Sequence, residues 1–255
     1  MNVFKFICIF LLVPALLSSC GRKGALMPPE ALVPAVVQNL KVHQAGEAFR
    51  ITWSAPGKET GGRPLRDLAG FRISKRIIAG DGTDCSTCEE SWKLLAEVDA
   101  DNPGEKGKSG ATFISYDRNI PVGQTSQYRL LALSKSGGFS APATSPLLKS
   151  HPPLPAPTLK TAVLPASVKL EFAFVPQAAA VPAGFNVYRR SDKTEESLLP
   201  LNPVPLTANV WEDMQVEFGR SYWYSATALV KINGETVESL RSEESELLFS
   251  LQELR

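Results

Sequence analysis

Two stretches of this 255-residue chain repeat each other, and an internal repeat constrains the fold more than composition does. Ala69-Gly70-Phe71-Arg72-Ile73-Ser74-Lys75-Arg76 matches Ala183-Gly184-Phe185-Asn186-Val187-Tyr188-Arg189-Arg190. Downstream, Asp117, Gly123, Tyr128, Ala132 and Leu133 match Asp213, Gly219, Tyr224, Ala228 and Leu229 without a gap. Five identities in register over seventeen positions are not coincidence, so the chain builds one kind of unit twice. Between the matching blocks the first half is longer, and its extra residues include Cys85-Ser86-Thr87-Cys88. The run His151-Pro152-Pro153-Leu154-Pro155-Ala156-Pro157 favours extended backbone and reads as a stiff spacer between the halves.

Apolar residues alternate with polar ones in short runs bounded by turn residues, and no long stretch carries a helical stripe. The runs predict strands over 38–43, 48–53, 70–77, 92–98, 112–116, 127–134 and around 145–148 in the first half. In the second half they fall at 158–163, 167–174, 183–189, 198–201, 210–212, 221–231 and 245–251. Seven short strands per hundred residues predict an all-β chain of two tandem sandwiches. With 44% apolar residues there is enough for two cores. The expected units are 1–19 as a leader, 20–35 as a flexible tether, and domains at 36–150 and 151–255.

Each half resembles a fibronectin type III domain. In the first, Val37-Gln38-Asn39-Leu40-Lys41-Val42 resembles the family's opening strand, and Phe49-Arg50-Ile51-Thr52-Trp53-Ser54-Ala55-Pro56 its second, with the core tryptophan at Trp53. The third strand is Gly70 to Arg76, the sixth is Tyr128 to Leu133, and Gly137-Gly138-Phe139-Ser140-Ala141-Pro142 resembles the closing turn. The second half departs where Phe172 replaces the tryptophan and where the last hairpin, at Ile232-Asn233-Gly234-Glu235, runs longer. Tyr128 and Tyr224 fit a tyrosine corner, in which a buried ring needs a backbone partner for its hydroxyl.

At the N-terminus Lys5 precedes an apolar run, 6–17, too short to span a bilayer, and Leu17-Ser18-Ser19-Cys20 closes it. This resembles the lipobox of bacterial lipoproteins, which implies cleavage before Cys20 and acylation of that residue. Two or three acyl chains on one cysteine anchor durably, since each buried methylene contributes about 0.8 kcal/mol. Gly21 follows, where an Asp is the familiar inner-membrane retention signal, so the resemblance implies an outer-membrane anchor facing the periplasm. Cys20-Gly21-Arg22-Lys23-Gly24-Ala25-Leu26-Met27-Pro28-Pro29 is also similar to the opening of the small lipopolysaccharide-assembly lipoprotein, which implies an accessory role docked through that segment. Lys plus Arg number 27 and Asp plus Glu 26, and a near-neutral chain argues against nucleic acid as a partner.

In an oxidising compartment, Cys85 and Cys88 most simply form a local disulfide. A redox pair would need a helix N-terminus to lower one thiol's pKa, and zinc would need ligands beyond His43 and His151, the chain's two histidines. The 102–109 segment lacks the first glycine of a phosphate loop, and 99–110 has Pro103 and Gly110 where a calcium loop needs ligands. No catalytic triad or zinc-protease motif occurs, so the chain is expected to be non-enzymatic, with no cofactor or metal. Its expected partners are membrane lipid, through acylated Cys20, and an envelope protein, with glycan a lesser alternative. Of the binding residues the sequence names none, although an exposed Trp92, Trp211 or Trp223 would point to a ligand face.

Overall fold

The computed structural model of the chain describes residues 28–78, 88–104, 107–176, 180–194 and 196–250. The first half forms β1 (Gln38–Ala45), β2 (Ala48–Ser54), β3 (Leu68–Ile77), β4 (Lys93–Asp99), β5 (Lys108–Ser109), β6 (Thr112–Asp117), β7 (Thr125–Ser134), β8 (Ala143–Thr144) and β9 (Leu148–Lys149). The second forms β10 (Thr158–Val163), β11 (Val168–Ala173), β12 (Val181–Arg190), β13 (Val210–Asp213), β14 (Ser221–Ile232), β15 (Glu235–Glu238) and β16 (Ser245–Leu248). Each half is a fibronectin type III-like β-sandwich. In the first, β1-β2-β6-β5 faces β4-β3-β7 with β8 and β9; in the second, β10-β11-β13 faces β12-β14 with β15 and β16.

Period-two alternation explains which side chains make the cores. Phe49, Ile51 and Trp53 on β2 meet Phe71, Ile73, Tyr128 and Leu130 from the opposite sheet. Trp53, fully buried, stacks on Phe113 at 5.7 Å and meets Phe71 edge-on at 5.3 Å. In the second core Val168, Leu170 and Phe172 face Val187, Tyr222, Tyr224 and Ala226. Phe172 stacks on Phe185 at 5.0 Å, so two phenylalanines do the work of the absent tryptophan.

The repeated glycines have a common cause. Both β3 and β12 carry a register irregularity at their start, between Leu68 and Gly70 and between Pro182 and Gly184. A Cβ on Gly70 would lie 2.3 Å from the Val98 carbonyl oxygen, and one on Gly184 would lie 2.6 Å from that of Leu206. Only glycine lets the neighbouring backbone approach this closely.

The structure revises four expectations. Residues 198–201 form no strand: the backbone of 201–206 follows β12 through Leu201 to Val187 and Leu206 to Phe185, and Pro200, Pro203 and Pro205 supply no N–H for a ladder. The strand expected around 145–148 is split into β8 and β9 around Pro146. Residues 31–35, expected in a flexible tether, are held against the first sandwich: Gly61 donates to Ala31 O, Thr60 to Val33 O, and Ala35 to Lys58 O. The run 151–157 is not a mere spacer, because Leu154 is buried with Val230 and Val237 and its carbonyl accepts from Leu240 N. Burying one leucine side chain contributes about 1.5–3 kcal/mol, which fixes the linker to the second sandwich.

One pairing joins the halves. β15 lies parallel to β1, with Gln44 opposite Val237 and Ala45 opposite Glu238, and so β12-β14-β15-β1-β2-β6-β5 is one continuous sheet.

Candidate functional site at the module junction

Alternation that sends Phe49, Ile51 and Trp53 inward sends Arg50 to the outer face of β2. That face is normally wet. Here the second module covers it, and Arg50 is only 5% exposed. Its partner is Glu238 at the end of β15, 1% exposed, with Nη2 2.7 Å from Oε2. His43 Nε2 lies 3.1 Å from the same oxygen and 2.9 Å from Arg50 Nη2. Glu238 Oε1 accepts from Thr227 Oγ1 at 2.6 Å, Asn186 Nδ2 at 3.3 Å and the Tyr188 hydroxyl, which itself accepts from Arg50 Nη1 at 2.9 Å.

Burying a carboxylate and a guanidinium costs several kcal/mol per ion unless their remaining hydrogen-bonding capacity is filled. Glu238 meets that condition with five side chains from both modules. Burial alone would raise its carboxyl, but the His43 contact, the Arg50 charge and Thr227 outweigh it and hold the group well below the usual carboxylate range. For Tyr188, burial and Glu238 together push the phenol up to about 12, so it stays a neutral donor. Beside this network Gln44 donates to His151 O at 2.8 Å and accepts from His151 N at 2.8 Å, and Gly46 N donates to Glu238 O at 2.9 Å. The network fixes how the two sandwiches sit on each other.

Above it opens a cleft of about 360 Å³, walled by the 45–48 turn, Tyr116 and Arg118 of the first module and by Tyr188 and Arg241 of the second, with Arg50 and Glu238 as its floor. Arg118 lies over Tyr116, 5.4 Å from the ring centroid, and Arg241 lies over Tyr188 at 3.8 Å. Stacked guanidinium groups of this kind are pre-organised for bidentate acceptors. The sequence singled out none of these residues. Its one available signal was the longer hairpin at 232–235, since Arg50 and Glu238 are 188 positions apart.

The repeated tyrosines are structural nodes. Tyr128 OH donates to Asp117 Oδ2 at 2.8 Å and Tyr224 OH to Asp213 Oδ2 at 2.8 Å. Their hydroxyl partner is therefore a carboxylate side chain, where the sequence predicted backbone. Each aspartate also takes a cation, Lys75 at 2.6 Å or Arg189 at 2.5 Å, and its other oxygen caps a turn at Asn119 N or Gln215 N. Burial, reinforced by the aspartate, raises both phenols.

Trp92, Trp211 and Trp223 are all half-buried. Arg76 and Arg129 cover Trp92, Arg190 and Lys193 cover Trp223, and Trp211 packs against the second core on one side and lines a surface pocket with Leu201, Val204 and Met214 on the other, so Trp92 and Trp223 are the covered rings. Asp99 closes its own turn by accepting from Asp101 N and Asn102 N at 2.8 Å. Among the described residues no group of three or more His, Cys, Asp or Glu side chains is placed to hold a metal. Cys88 is disulfide-bonded, while Cys20 and Cys85 lie outside the described residues. Among those residues no helix is long and apolar enough to cross a membrane.

No protein-family model and no curated protein matches this chain. Among solved structures it is similar to the FN1–FN3 domains of chicken CNTN1, at 12% identity and a TM-score of 0.34, over 86% of this chain and 68% of that one. It is also similar to the twitchin kinase region from C. elegans, at 17% identity and a TM-score of 0.32, over 47% of this chain and 17% of that one. The chain thus spans less than a fifth of that protein. Strand order and the two cores themselves make each half a fibronectin type III-like sandwich.

Proposed function

We propose that this chain is a lipid-anchored cell-envelope protein whose paired sandwiches act as one rigid, non-enzymatic protein-binding module. The observation that carries the binding half is the junction: a continuous sheet and a buried ion network make a single two-module surface. Loosely strung domains would not present one. The anchoring half rests on Lys5, the apolar run and Cys20, and Gly21 in place of Asp favours the outer membrane. With residues 31–35 held by the first module, the chain from Cys20 to Ala31 spans at most about 40 Å at ~3.6 Å per residue. The first sandwich then works close to the bilayer.

Two measurements test this. Mass spectrometry of the protein isolated from membranes should find an acylated Cys20 as the first residue, and Cys20→Ala should abolish the modification; an unmodified Met1 start in the cytosol overturns the anchor. In-cell crosslinking from the edge strand β4 and from the junction should recover one dominant envelope protein. Recovery of no specific protein overturns the binding role.

A further inference from the structure

Among the described residues, two arginines of the junction cleft make no ion pair. Arg118 follows β6 in the first module and Arg241 follows β15 in the second, and both are exposed. Among the described residues Arg118 has its stacking on Tyr116, and Arg241 has its stacking on Tyr188, one bond to Ser197 O at 3.1 Å and a longer-range attraction to Glu244, whose carboxyl it helps to hold down. Five arginines elsewhere on the two modules are paired with neighbouring acids: Arg63 with Glu59, Arg72 with Glu97, Arg129 with Glu89, Arg190 with Glu244 and Arg220 with Glu217. These two guanidiniums, neither of them in a contact ion pair among the described residues, come from different modules and line one opening.

The floor beneath them is built and electrically closed. Arg50, Glu238, Thr227 and Tyr188 are each less than 6% exposed, and Glu238 consumes the Arg50 charge. Charge selection therefore falls to the rim. Glu47 and Glu196 also line this cleft, so an acidic ligand gains only where its carboxylates reach Arg118 and Arg241 directly. A cleft of about 360 Å³ holds a few side chains, at the small end of ligand pockets. A ring already holding each guanidinium flat lowers the ordering cost of a bidentate bond to a carboxylate.

We infer that this cleft binds a short acidic segment of a protein partner, its carboxylates taken by Arg118 and Arg241 across the module junction. The inference rests on the protein-binding reading above and names the chemistry of the partner. The test is an NMR titration of the full chain in detergent with a blocked tetrapeptide carrying two central glutamates, its glutamine counterpart, and inorganic phosphate. The glutamate peptide should give saturable shifts at the amides of 45–48 and 238–241, with about tenfold weaker binding for the glutamine peptide, the loss expected when a bond to a charged group is removed. The double variant Arg118→Gln, Arg241→Gln should lose the response, and Arg72→Gln, outside the cleft, should keep it. An equal response to both peptides, or a response that survives in the double variant, overturns the site. Phosphate binding as tightly as the peptide overturns the peptide assignment. Envelope-protein capture that persists unchanged in the double variant overturns this site while leaving the binding role intact; loss of capture from the wild type as well points instead to failure of that role.

Discussion

The two modules share a frame and differ at one hairpin. In the first, β7 ends at Ser134 and the chain turns back at once, Ser134 N donating to Gly138 O and Gly137 N to Ser134 O. In the second, β14 runs on to Ile232, turns at Asn233 and Gly234, and returns as β15 along β1 of its neighbour. A few more residues in one loop turn an open sheet edge into a weld between domains. The contrast also explains why Arg50 tolerates burial: without β15 its face of β2 would be solvated.

The strongest way to break the comparison is to remove one ion of the weld. Arg50→Ala leaves Glu238 buried without its cation, and breaking such a pair costs about 3–5 kcal/mol. Calorimetry should show a single unfolding transition for the wild type and two for the variant, because the modules then melt separately. A single transition displaced by less than a degree would show that the network does not couple them.

Acid acts reversibly on the other partner of the pair. Glu238 has a folded carboxyl held below its ordinary value of 4.5, so its contribution is fully present above that value and is lost as pH falls through it toward the folded one. The melting temperature should therefore drop more steeply on acidification to about pH 3 in the wild type than in Glu238→Gln. Parallel curves would place the acid sensitivity elsewhere in the chain.

The shared frame gives the next effect. Tyr128→Phe and Tyr224→Phe each remove a bond to a buried carboxylate, expected to cost about 1.5–3 kcal/mol. If the nodes are equivalent, denaturant unfolding should give matched losses, despite the exchange of Lys75 for Arg189. A loss confined to one module would make its partner's cation sufficient alone.

The positions of these nodes were legible in the sequence because they are local, although the hydroxyls were expected to bond backbone and bond aspartate instead. Asp117 and Tyr128 stand eleven residues apart, as do Asp213 and Tyr224, and both pairs recur in register. Alternation likewise marked β2 and its inward Trp53. The second module's missing strand at 198–201 was misread because periodicity counts side chains, whereas a ladder needs N–H groups that Pro200, Pro203 and Pro205 lack. The junction was illegible for a different reason. Arg50 looks like an ordinary solvated residue on β2, and Glu238 like an ordinary acid near a strand end; only the length of the hairpin and its parallel register on β1 bring them together. Leu154 shows the same limit, since a proline-dense run reads as linker whether or not its one large apolar side chain finds a pocket.

The smallest effect separates local strain from its consequence at a distance. Gly137 turns the first module's hairpin with φ +90° and Gly234 the second's with φ +87°, and at neither would a Cβ meet any atom within 4 Å. Gly137→Ala and Gly234→Ala should therefore each cost about 1 kcal/mol from backbone conformation alone. Only the second hairpin carries the weld. Hydrogen exchange at the Gly46 amide, which donates to Glu238 O across the junction, should quicken in Gly234→Ala and stay unchanged in Gly137→Ala. Equal protection in both variants would mean that the junction holds its own register and that the turn merely follows it.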